Sequence, residues 1–573
     1  MPALCGFDLV FTAPFDADSL AGCCRALENV EYPLCNLNLW VYGALPQDGE
    51  KLTLTGVGSV HTGQVQPGWA AYCNQTAYMG KAPWVVFLQP GAQVRPGFFT
   101  ALCAAAEQTE VAALECRQLP CEASHHIDPA TLNASWVGGA AFAVRRQAFE
   151  QVGGFDVRLP QGVAEVDLSW RLRAAGHVLR CVPGAVVYVS AEGEDTLAAY
   201  AEALYGRLLL SYKYGRACRG NGEYIAALHS PRHYGGVRRT LLKMYLHHFY
   251  PSVFWPLLLW RWRHPLAAYQ NITDFSEGYA PQRGTQALPF FTETPLVSVI
   301  VRTMGRPQVL RGALQSLRNQ TYRAFEVIVA EDGPPTAQEM IQQEFSDLPV
   351  CYHAMGRVAG RGANGNAGLA LAQGEYINFL DDDDFLYPDH LEWMVAAALE
   401  RPNQPVILGT AMAMETDVVS SDPYKVQVKS IHPMRFDRFD LLKMSKMCLI
   451  PIQSALFKRS LYEQYGGLKE GVEGNEDWAM WLKFLGHAAR PWVGGFDVTR
   501  ATSIFTVPAD AQAEALRVEK YRAYYKDMLE DESLAFTVTV KDLHDMYNAM
   551  LRDVQHLQAL GQLDSFVQEQ LKF

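Results

Sequence analysis

The sequence has no long run of Lys and Arg, and its 61 acidic residues outnumber its 49 Lys and Arg residues, giving a net charge of −12. Proteins whose main ligand is nucleic acid neutralise phosphates with a basic surface. The composition therefore argues against nucleic acid as a partner. It also implies that an anionic substrate would be bound through a metal ion.

The sequence also lacks paired cysteines, and we expect no signal peptide at its start. Its twelve cysteines include no Cys-x-x-Cys pair and show no spacing typical of a disulfide framework. The opening MPALCGFDLVF has no basic region and no small-residue cleavage site, so we interpret it as a first strand. We expect reduced thiols and a cytoplasmic protein.

No hydrophobic run is long enough to span a bilayer. The most membrane-like stretch is residues 249–262 (FYPSVFWPLLLWRW), which is short, contains two prolines and is flanked by His and Arg. Two interpretations stay open. The segment lies on the inner face of a membrane as a peripheral contact, or it is a helix packed between domains.

Four consecutive aspartates, Asp381 to Asp384, follow a strand-like run at 375–380 and precede a helix-like run. Carboxylates at the end of a buried strand repel one another unless they are protonated or bind a cation. Oxygen ligands favour Mg²⁺ or Mn²⁺, which keep part of their coordination shell for water and phosphates. We predict a metal site here, the alternative being a charged turn. We expect Asp384 to cap the following helix.

The chain also contains an internal repeat. FLQPGAQVRPGF (87–98) aligns with FLDDDDFLYPDH (379–390), and VRRQAFEQVGGF (144–155) aligns with FKRSLYEQYGGL (457–468). The second copy has gained about twenty residues between these landmarks, and the order of elements is kept. The sequence therefore predicts a tandem duplication.

Each copy alternates strand-like and helix-like segments, which predicts an α/β fold with a mostly parallel sheet. In the second copy we expect a strand at 297–301, a helix at 308–319 and a strand at 325–330. The predicted domains are a first copy at 1–195, a helical connector and loop at 196–293, a second copy at 294–510 and a helical region at 511–573.

A stripe of apolar residues in the last region predicts a docking face, with a coiled coil as the alternative. The stripe consists of Leu543, Met546, Met550, Val554 and Leu557.

From about Pro295 to Ala509 the second copy resembles an inverting glycosyltransferase of family two, which has the GT-A fold. The resembling motifs are VSVIVRTMGRPQVLRGALQSLRNQTYRAFEVIVAEDG, GNAGLALAQGEYINFLDDDDFLYPDHLE and GNEDWAMWLKFLG, in that order. The resemblance implies two Rossmann-like GT-A domains joined by the helical connector.

The resemblance assigns donor-binding roles. Thr303, Glu331 and Asp332 would contact the nucleobase and ribose. Asn366 and Arg361 would lie beside the diphosphate, although the family often has its arginine immediately before the asparagine. The usual acidic pair is Asp-Asp, so Glu331 leaves the base open. A UDP-sugar is the first guess.

The resemblance also assigns metal and catalytic roles. Asp383 would contact the metal, Mn²⁺ or Mg²⁺, with Asp381 beside it, and Asp381 or Asp382 would reach the ribose and the metal's waters. Asp477 would be the base that takes the acceptor proton, and Glu476 would orient the site. A helix N-cap is the alternative role for Asp477. Relatives often place a metal-binding histidine nearby, but residues 495–510 contain none.

The first copy lacks this equipment. Gln89, Pro90, Gly91 and Ala92 occupy the four aspartate positions, and Glu165 aligns with Asp477. We interpret the first copy as a degenerate domain retained for acceptor binding, docking or assembly, including homo-oligomer formation.

We therefore predict a metal-dependent inverting glycosyltransferase. It would move a sugar from a nucleotide-sugar donor to a hydroxyl of a glycan, lipid-linked or protein acceptor, as in surface polysaccharide or glycoconjugate synthesis. One alternative is a two-site polysaccharide polymerase with both domains active. Another is a non-catalytic carbohydrate-binding scaffold.

Overall fold

The structure is a computed structural model. The residues that it describes are 5–12, 17–42, 57–63, 68–89, 91–189, 197–229, 236–248, 251–264, 266–269, 282–284, 286–421, 424–434, 439–444, 448–472, 476–487, 493–510, 519, 534 and 540–559. Pro90, most of the predicted loop before residue 289 and most of residues 511–539 lie outside them.

The chain divides into two compact units. The first comprises Met1–Asp128 and Leu132–Leu288, and the second comprises Pro129–Thr131 and Pro289–Phe573. The region predicted as a separate connector belongs to the first unit, and the C-terminal helical region belongs to the second.

The first unit is a sheet of eight strands with helices. The strands are β1 (Phe7–Phe11), β2 (Leu37–Tyr42), β3 (Ser59–Gly63), β4 (Trp84–Leu88), β5 (Gln93–Val94), β6 (Val111–Leu119), β7 (Ala141–Arg145) and β8 (Val178–Tyr188). The helices are α1 (Ala17–Glu28), α2 (Trp69–Met79), α3 (Phe98–Ala106), α4 (Arg146–Gln151), α5 (Ala164–Ala174), α6 (Leu197–Lys213), α7 (Ala217–His229), α8 (Gly236–His248) and α9 (Pro251–Arg263).

The sheet order in this unit is β3-β2-β1-β4-β7-β6-β8-β5. Strands β1 to β4 pair in parallel, whereas β7 runs antiparallel to both of its neighbours. Every residue of β1 and β4 is buried, which explains why these strands are continuously apolar rather than alternating.

Helix α6 is tied to the rest of the first unit by a buried charge network. Lys213 is 1% exposed and its Nζ lies 2.7 Å from Asp156 and 2.6 Å from Asp167. Asp167 also accepts a hydrogen bond from the Tyr214 hydroxyl at 3.0 Å and pairs with Arg171 at 2.8 Å. Buried charges are tolerated only when they are paired in this way.

Within the part of the chain that the structure describes, no helix is both long enough and apolar enough to cross a membrane. The segment at 249–262 lies mainly in α9, a helix of 13 residues with Pro256 inside it. Phe249 and Tyr250 lie outside the described residues.

The second unit has a nine-stranded sheet. Its strands are β9 (Val297–Thr303), β10 (Phe325–Glu331), β11 (Val350–Ala354), β12 (Tyr376–Asp381), β13 (Phe385–Leu386), β14 (Val406–Ser421), β15 (Tyr424–Pro433), β17 (Ala455–Lys458) and β19 (Val498–Pro508), and β16 (Phe439–Asp440) pairs separately with β18 (Val493–Gly494). Its helices are α10 (Pro307–Arg318), α11 (Gln338–Glu344), α12 (Arg361–Leu371), α13 (His390–Glu400), α14 (Leu441–Met444), α15 (Arg459–Tyr465), α16 (Glu476–His487) and α17 (Val540–Ala559).

The two sheets have the same strand order. The second reads β11-β10-β9-β12-β17-β14-β19-β13, which matches the first strand for strand, with β15 added beside β14. The predicted α/β fold class with two domains is confirmed. The sheets are mixed rather than mostly parallel, because the β7 and β17 strands run against their neighbours.

The added strand forms a hairpin that distinguishes the second unit. β14 and β15 pair antiparallel from Met412–Pro433 to Ser421–Tyr424. The corresponding residues of the first unit, 120–140, are all described and contain only isolated bridges. The hairpin therefore accounts for much of the length gained by the second copy.

Helix α17 leaves most of the predicted apolar stripe exposed. Ala549 is fully buried, whereas Leu543, Met550 and Val554 are exposed. Met546, which belongs to the stripe, is half-buried one turn before Ala549, and the side chain of Leu557 lies outside the described residues. The stripe's role as a docking face stays a prediction.

We predict that Lys213→Met destabilises the first unit by about 3 kcal/mol, because removing one partner of a buried ion network leaves uncompensated charge. Urea unfolding of the full chain measures this. Lys541→Met, at an exposed lysine, is the control and should change stability by less than about 0.5 kcal/mol. Equal stability of the two variants would contradict the role given to Lys213.

Candidate functional site

The candidate site lies where three parallel strands of the second unit end together. Glu331 at the end of β10 is in register with Thr303 at the end of β9, and Asp381 at the end of β12 is in register with Arg302. Polar side chains therefore meet at one edge of the sheet, as the sequence predicts for the aspartate run. This is the edge at which open α/β sheets bind ligands.

Arg302 is the centre of the site. Its side chain is 6% exposed, and its Nε and Nη2 donate hydrogen bonds to both carboxylate oxygens of Asp381, at 2.7 and 2.9 Å. Its Nη1 donates to Glu476 Oε1 at 2.6 Å. A single planar guanidinium therefore joins the end of β12 to the beginning of α16, a fork geometry that lysine cannot reproduce.

Asp382 is buried between a hydroxyl and a second arginine. Thr303 Oγ1 donates to its Oδ2 at 2.6 Å, and Arg306 donates to both of its carboxylate oxygens. Arg306 Nη1 also reaches Asp383 Oδ2 at 3.4 Å. Asp383 is 40% exposed, so it is the member of the run most available to a ligand.

Asp384 does not cap a helix, which corrects the sequence prediction. The next helix, α13, begins at His390, and the short strand β13 lies between. Asp384 is 2% exposed and accepts a hydrogen bond from the backbone N–H of Thr506 at 2.7 Å, while the Thr506 hydroxyl donates to the carbonyl of Asp383 at 2.6 Å. It therefore fixes the aspartate turn against β19.

The aspartates carry unequal charge. Burial would raise the pKa of Asp381, but the charge and hydrogen bonds of Arg302 outweigh it, so this pKa lies below its usual value. Burial raises the pKa of Asp382 to about 6. Burial and neighbouring aspartates also raise the pKa values of Asp383 and Asp384. Such shifts indicate excess negative charge that a cation would relieve.

Glu476 and Asp477 begin α16, and Asn475 lies outside the described residues. Because the helix starts at Glu476, Asp477 lies inside the first turn and the N-cap alternative for it is wrong. Burial and the neighbouring Glu476 raise the pKa of Asp477 to about 7, although Arg302 acts to lower it. A carboxyl with this pKa is suited to accept a proton near neutral pH.

The predicted nucleobase residues point into the protein rather than outward. Glu331 is fully buried and accepts hydrogen bonds from Thr336, Tyr352 and the N–H of Ala337. Asp332 accepts hydrogen bonds from two consecutive backbone N–H groups, those of residues 359 and 360, at 2.6 and 3.0 Å. In this structure the two carboxylates hold the loops at the strand ends.

Asn366 acts as a clamp. Its amide exchanges two hydrogen bonds with the backbone of Leu468, at 3.0 and 2.8 Å. In the first unit Asn74 makes the same pair with Phe155, at 2.8 and 2.7 Å. Since the bond pair occurs in both units, we interpret it as a structural contact that holds the turn at Leu468. The position of Asn366 beside a diphosphate stays a prediction.

Arg361 lies closer to the predicted arrangement. It is the first residue of α12 and is exposed, and its charge acts to lower the pKa values of Asp381 and Asp383. An arginine directly before Asn366 would require the Leu468 side chain to move. A Cβ at Gly365 would lie 2.2 Å from Leu468 and 3.3 Å from Arg302.

The carboxylates fit a hard cation that arrives with phosphate oxygens. Asp383 has an exposed carboxylate, and Glu476 Oε2 is buried without a hydrogen-bond partner among the described residues. Among the residues that the structure describes, no group of three or more His, Cys, Asp or Glu side chains is arranged to hold a metal ion. The protein alone would thus supply one or two ligands, as is usual for Mg²⁺ with substrate phosphates.

Sequence reasoning missed three residues of the site: Arg302, Arg306 and Tyr424. Tyr424 lies at the tip of the β14–β15 hairpin, and its charge interactions reach Arg306, Asp382 and Asp383. Arg302 had a signal in the sequence, since a charged residue within a buried strand needs a carboxylate partner. Arg306 lies between β9 and α10 and had no such signal. The tyrosine had none.

Among the described residues, the equivalent edge of the first unit has a threonine in place of the arginine. In the first unit Leu88 pairs with Phe11, and in the second unit the aligned Leu380 pairs with Val301. The residue after Phe11, Thr12, therefore corresponds to the residue after Val301, which is Arg302. Thr12 is 4% exposed and its N–H donates to the carbonyl of Leu88 at 3.0 Å.

Comparison with known proteins agrees with this difference between the units. Residues 298–466, which lie in the second unit and hold the aspartate run, match the family model described as Glycosyl transferase family 2. The match covers under a third of the chain.

The curated relatives bear similar names. An uncharacterized glycosyltransferase of Rickettsia typhi is 30% identical over 198 residues, covering 34% of this chain and 60% of that protein. The putative glycosyltransferase EpsH of Bacillus subtilis is 28% identical over 168 residues, covering 28% of this chain and 49% of that protein. The chain thus spans about half to three fifths of these two relatives.

Solved structures give a weaker likeness. S. aureus TarS 1-349, in complex with UDP-GlcNAc, aligns with 19% identity and a TM-score of 0.31, over 38% of this chain and 60% of that chain. The mannosyltransferase PcManGT from Pyrobaculum calidifontis, with GDP-Man and Mn²⁺, aligns with 13% identity and a TM-score of 0.32, over 47% and 86%. At these scores the likeness carries no argument about function. It is in sequence, around the aspartate run, that the chain is similar to glycosyltransferases.

Proposed function

We propose that the second unit is a metal-dependent inverting glycosyltransferase that moves a sugar from a nucleotide-sugar donor to an acceptor hydroxyl. One observation carries the proposal. The aspartate run and the Glu476-Asp477 pair meet around Arg302 at the ligand-binding edge of a domain that is similar in sequence to glycosyl transferase family 2. The protein is accordingly proposed to be an enzyme.

The donor diphosphate is proposed to lie beside Asp383 and Arg361. A bound Mg²⁺ or Mn²⁺, held by Asp383, would offset the negative charge on the leaving nucleotide. Asp381 is less available as a second ligand, because Arg302 occupies both of its oxygens. The exposed Arg361 would add positive charge on the same side.

Asp477 is proposed as the general base. Inversion requires a base on the face of the sugar opposite the leaving nucleotide, where it takes the proton of the attacking hydroxyl. Glu476 is buried against Arg302, so it positions the beginning of α16 and does not itself accept the proton. Because Arg302 also binds Asp381, it holds the base and the donor edge in one arrangement.

The first unit is proposed to be a duplicated copy that lost the chemistry. The shared strand order and the shared Asn clamp support the duplication. Thr12 lies at the position of Arg302, and Gln89 and Ala92 replace two of the four aspartates. These exchanges disfavour the two-site polymerase, and Glu165, aligned with Asp477, is the carboxylate that the first unit retains. The acceptor class stays open between a glycan, a lipid-linked sugar and a protein, and a UDP-sugar remains the first donor to test.

Asp383→Asn is expected to lower nucleotide release from the preferred nucleotide sugar by about a hundredfold or more, because the charge beside the leaving group is lost. A screen of UDP- and GDP-sugars with Mn²⁺ or Mg²⁺, scored by nucleotide release, measures this. Calorimetry of Mn²⁺ binding in the presence of UDP gives a second readout. Asp347→Asn, at an exposed ion-paired aspartate, is the matched control. Wild-type turnover in Asp383→Asn would contradict the metal site.

Asp477→Asn is expected to abolish transfer while donor binding persists. In the wild type, only the deprotonated base is active, so kcat/KM should rise with pH and level off above the raised pKa of about 7. A pH profile that stays flat between pH values well below and well above 7 would rule out Asp477 as the base.

Arg302→Gln is expected to move the acid limb of that profile to higher pH, because the guanidinium acts to lower the pKa of Asp477. If Arg302 had only a structural role, its loss would lower kcat/KM without shifting the pH at which kcat/KM rises. Arg311→Gln removes an exposed arginine paired with Glu344 and should leave the profile in place. An unmoved limb in Arg302→Gln would refute its positioning of the base.

A further inference from the structure

A stretch of fifty residues, Tyr224 to Thr273, contains no Asp or Glu although the whole chain has a net charge of −12. The stretch carries six Arg and Lys residues and five histidines. The Arg and Lys residues are Arg232, Arg238, Arg239, Lys243, Arg261 and Arg263. A local concentration of positive charge in an acidic protein indicates an anionic partner.

Helix α9 presents large apolar side chains to solvent on one face. Trp255, Leu259 and Trp262 follow one another at helical spacing and are 55%, 46% and 80% exposed. Leu257 points the opposite way and is 1% exposed. The helix is therefore anchored in the first unit by one face and exposes two tryptophans on the other.

Helix α8 also exposes leucines and basic side chains. It contacts α9, and its Leu242 and Leu246, one turn apart, are 49% and 60% exposed. Arg239 and Lys243 are exposed beside them. We call these residues, with Trp255, Leu259, Trp262 and Arg263, the α8–α9 surface.

We propose that the α8–α9 surface docks on an anionic lipid bilayer. Tryptophan and leucine would enter the headgroup region, and the basic side chains would bind lipid phosphates. An isolated helix face of this composition lies in the membrane interface and does not span it. Exposed leucines gain little on a nucleic-acid surface, whereas they can enter the headgroup region of a bilayer. Residues 224–273 contain no acidic side chain that lipid phosphates would repel.

This proposal can be tested without any glycosyltransferase assay, because the measured quantity is binding of the protein to lipid vesicles. Sedimentation of the full chain with vesicles of phosphatidylcholine alone, or mixed with phosphatidylglycerol, measures it. We expect binding to the mixed vesicles, weakened by salt. Trp255→Gln with Trp262→Gln should weaken it about tenfold. Replacing Arg239, Lys243 and Arg263 with Gln should weaken it about a hundredfold, since each basic residue near an anionic surface contributes roughly fivefold.

The control for the tryptophan variant is Val540→Gln with Leu543→Gln, two exposed apolar residues of α17. The control for the basic variant replaces three exposed lysines with Gln, namely Lys425, Lys429 and Lys541. Both should bind the mixed vesicles as the wild type does. Circular dichroism checks the fold of each variant. Vesicles with brominated acyl chains give a test on the wild type alone, because they should quench tryptophan fluorescence.

Three results would each overturn the proposal. One is equal binding to both kinds of vesicle, or to neither. A second is unchanged fluorescence with brominated lipids. The third is a tryptophan-dependent dimer in analytical ultracentrifugation, or capture of a DNA duplex that mixed vesicles fail to displace, since either would place another macromolecule on this surface.

Discussion

The arrangement of the second unit depends on one buried guanidinium. Arg302 is the next-to-last residue of β9, a fully buried strand, and its three hydrogen-bonding nitrogens hold Asp381 on β12 and Glu476 on α16. Neither carboxylate would be stable at this depth alone, and the arginine would not be stable without both. The positions of the aspartate turn and of the first turn of α16 follow from this pairing. The raised pKa of Asp477 has another cause, since burial and Glu476 raise it while Arg302 acts to lower it.

The first unit shows what the same strand order does without that interaction. Thr12 replaces the arginine, Gln89 replaces the first aspartate, and the edge is held by backbone and hydroxyl hydrogen bonds instead. Its folding constraints are retained, since Asn74 clamps Phe155 as Asn366 clamps Leu468. The contacts common to both units therefore belong to the fold. On the proposed function, the contacts around Arg302, which the second unit alone has, serve the chemistry.

The sequence was a good guide to elements and to the aspartate run, because periodicity and strand ends are local features. The predicted strands at 297–301 and 325–330 appear as 297–303 and 325–331. Contacts between distant residues were harder. Arg302 and Glu476 are 174 positions apart, and nothing local links them. The repetition of Asn366 as Asn74 was a sequence signal for the structural contact that both copies share. The donor-binding role that the resemblance assigns to Asn366 is a separate prediction.

Charge balance at the strand edge constrains how a donor could bind. Arg302 offsets Asp381 and Glu476, and Arg306 contacts Asp382 and Asp383. Asp384 and Asp477 have raised pKa values because burial and neighbouring carboxylates disfavour further negative charge. On the proposed function, a diphosphate brought to this edge would be repelled unless a cation came with it. The protein offers that cation few ligands of its own, so cation and donor would bind as one unit. Arg306, which precedes α10 and is 44% exposed, forms an ion pair with Asp383. On the proposed function this ion pair must break before Asp383 can bind the cation.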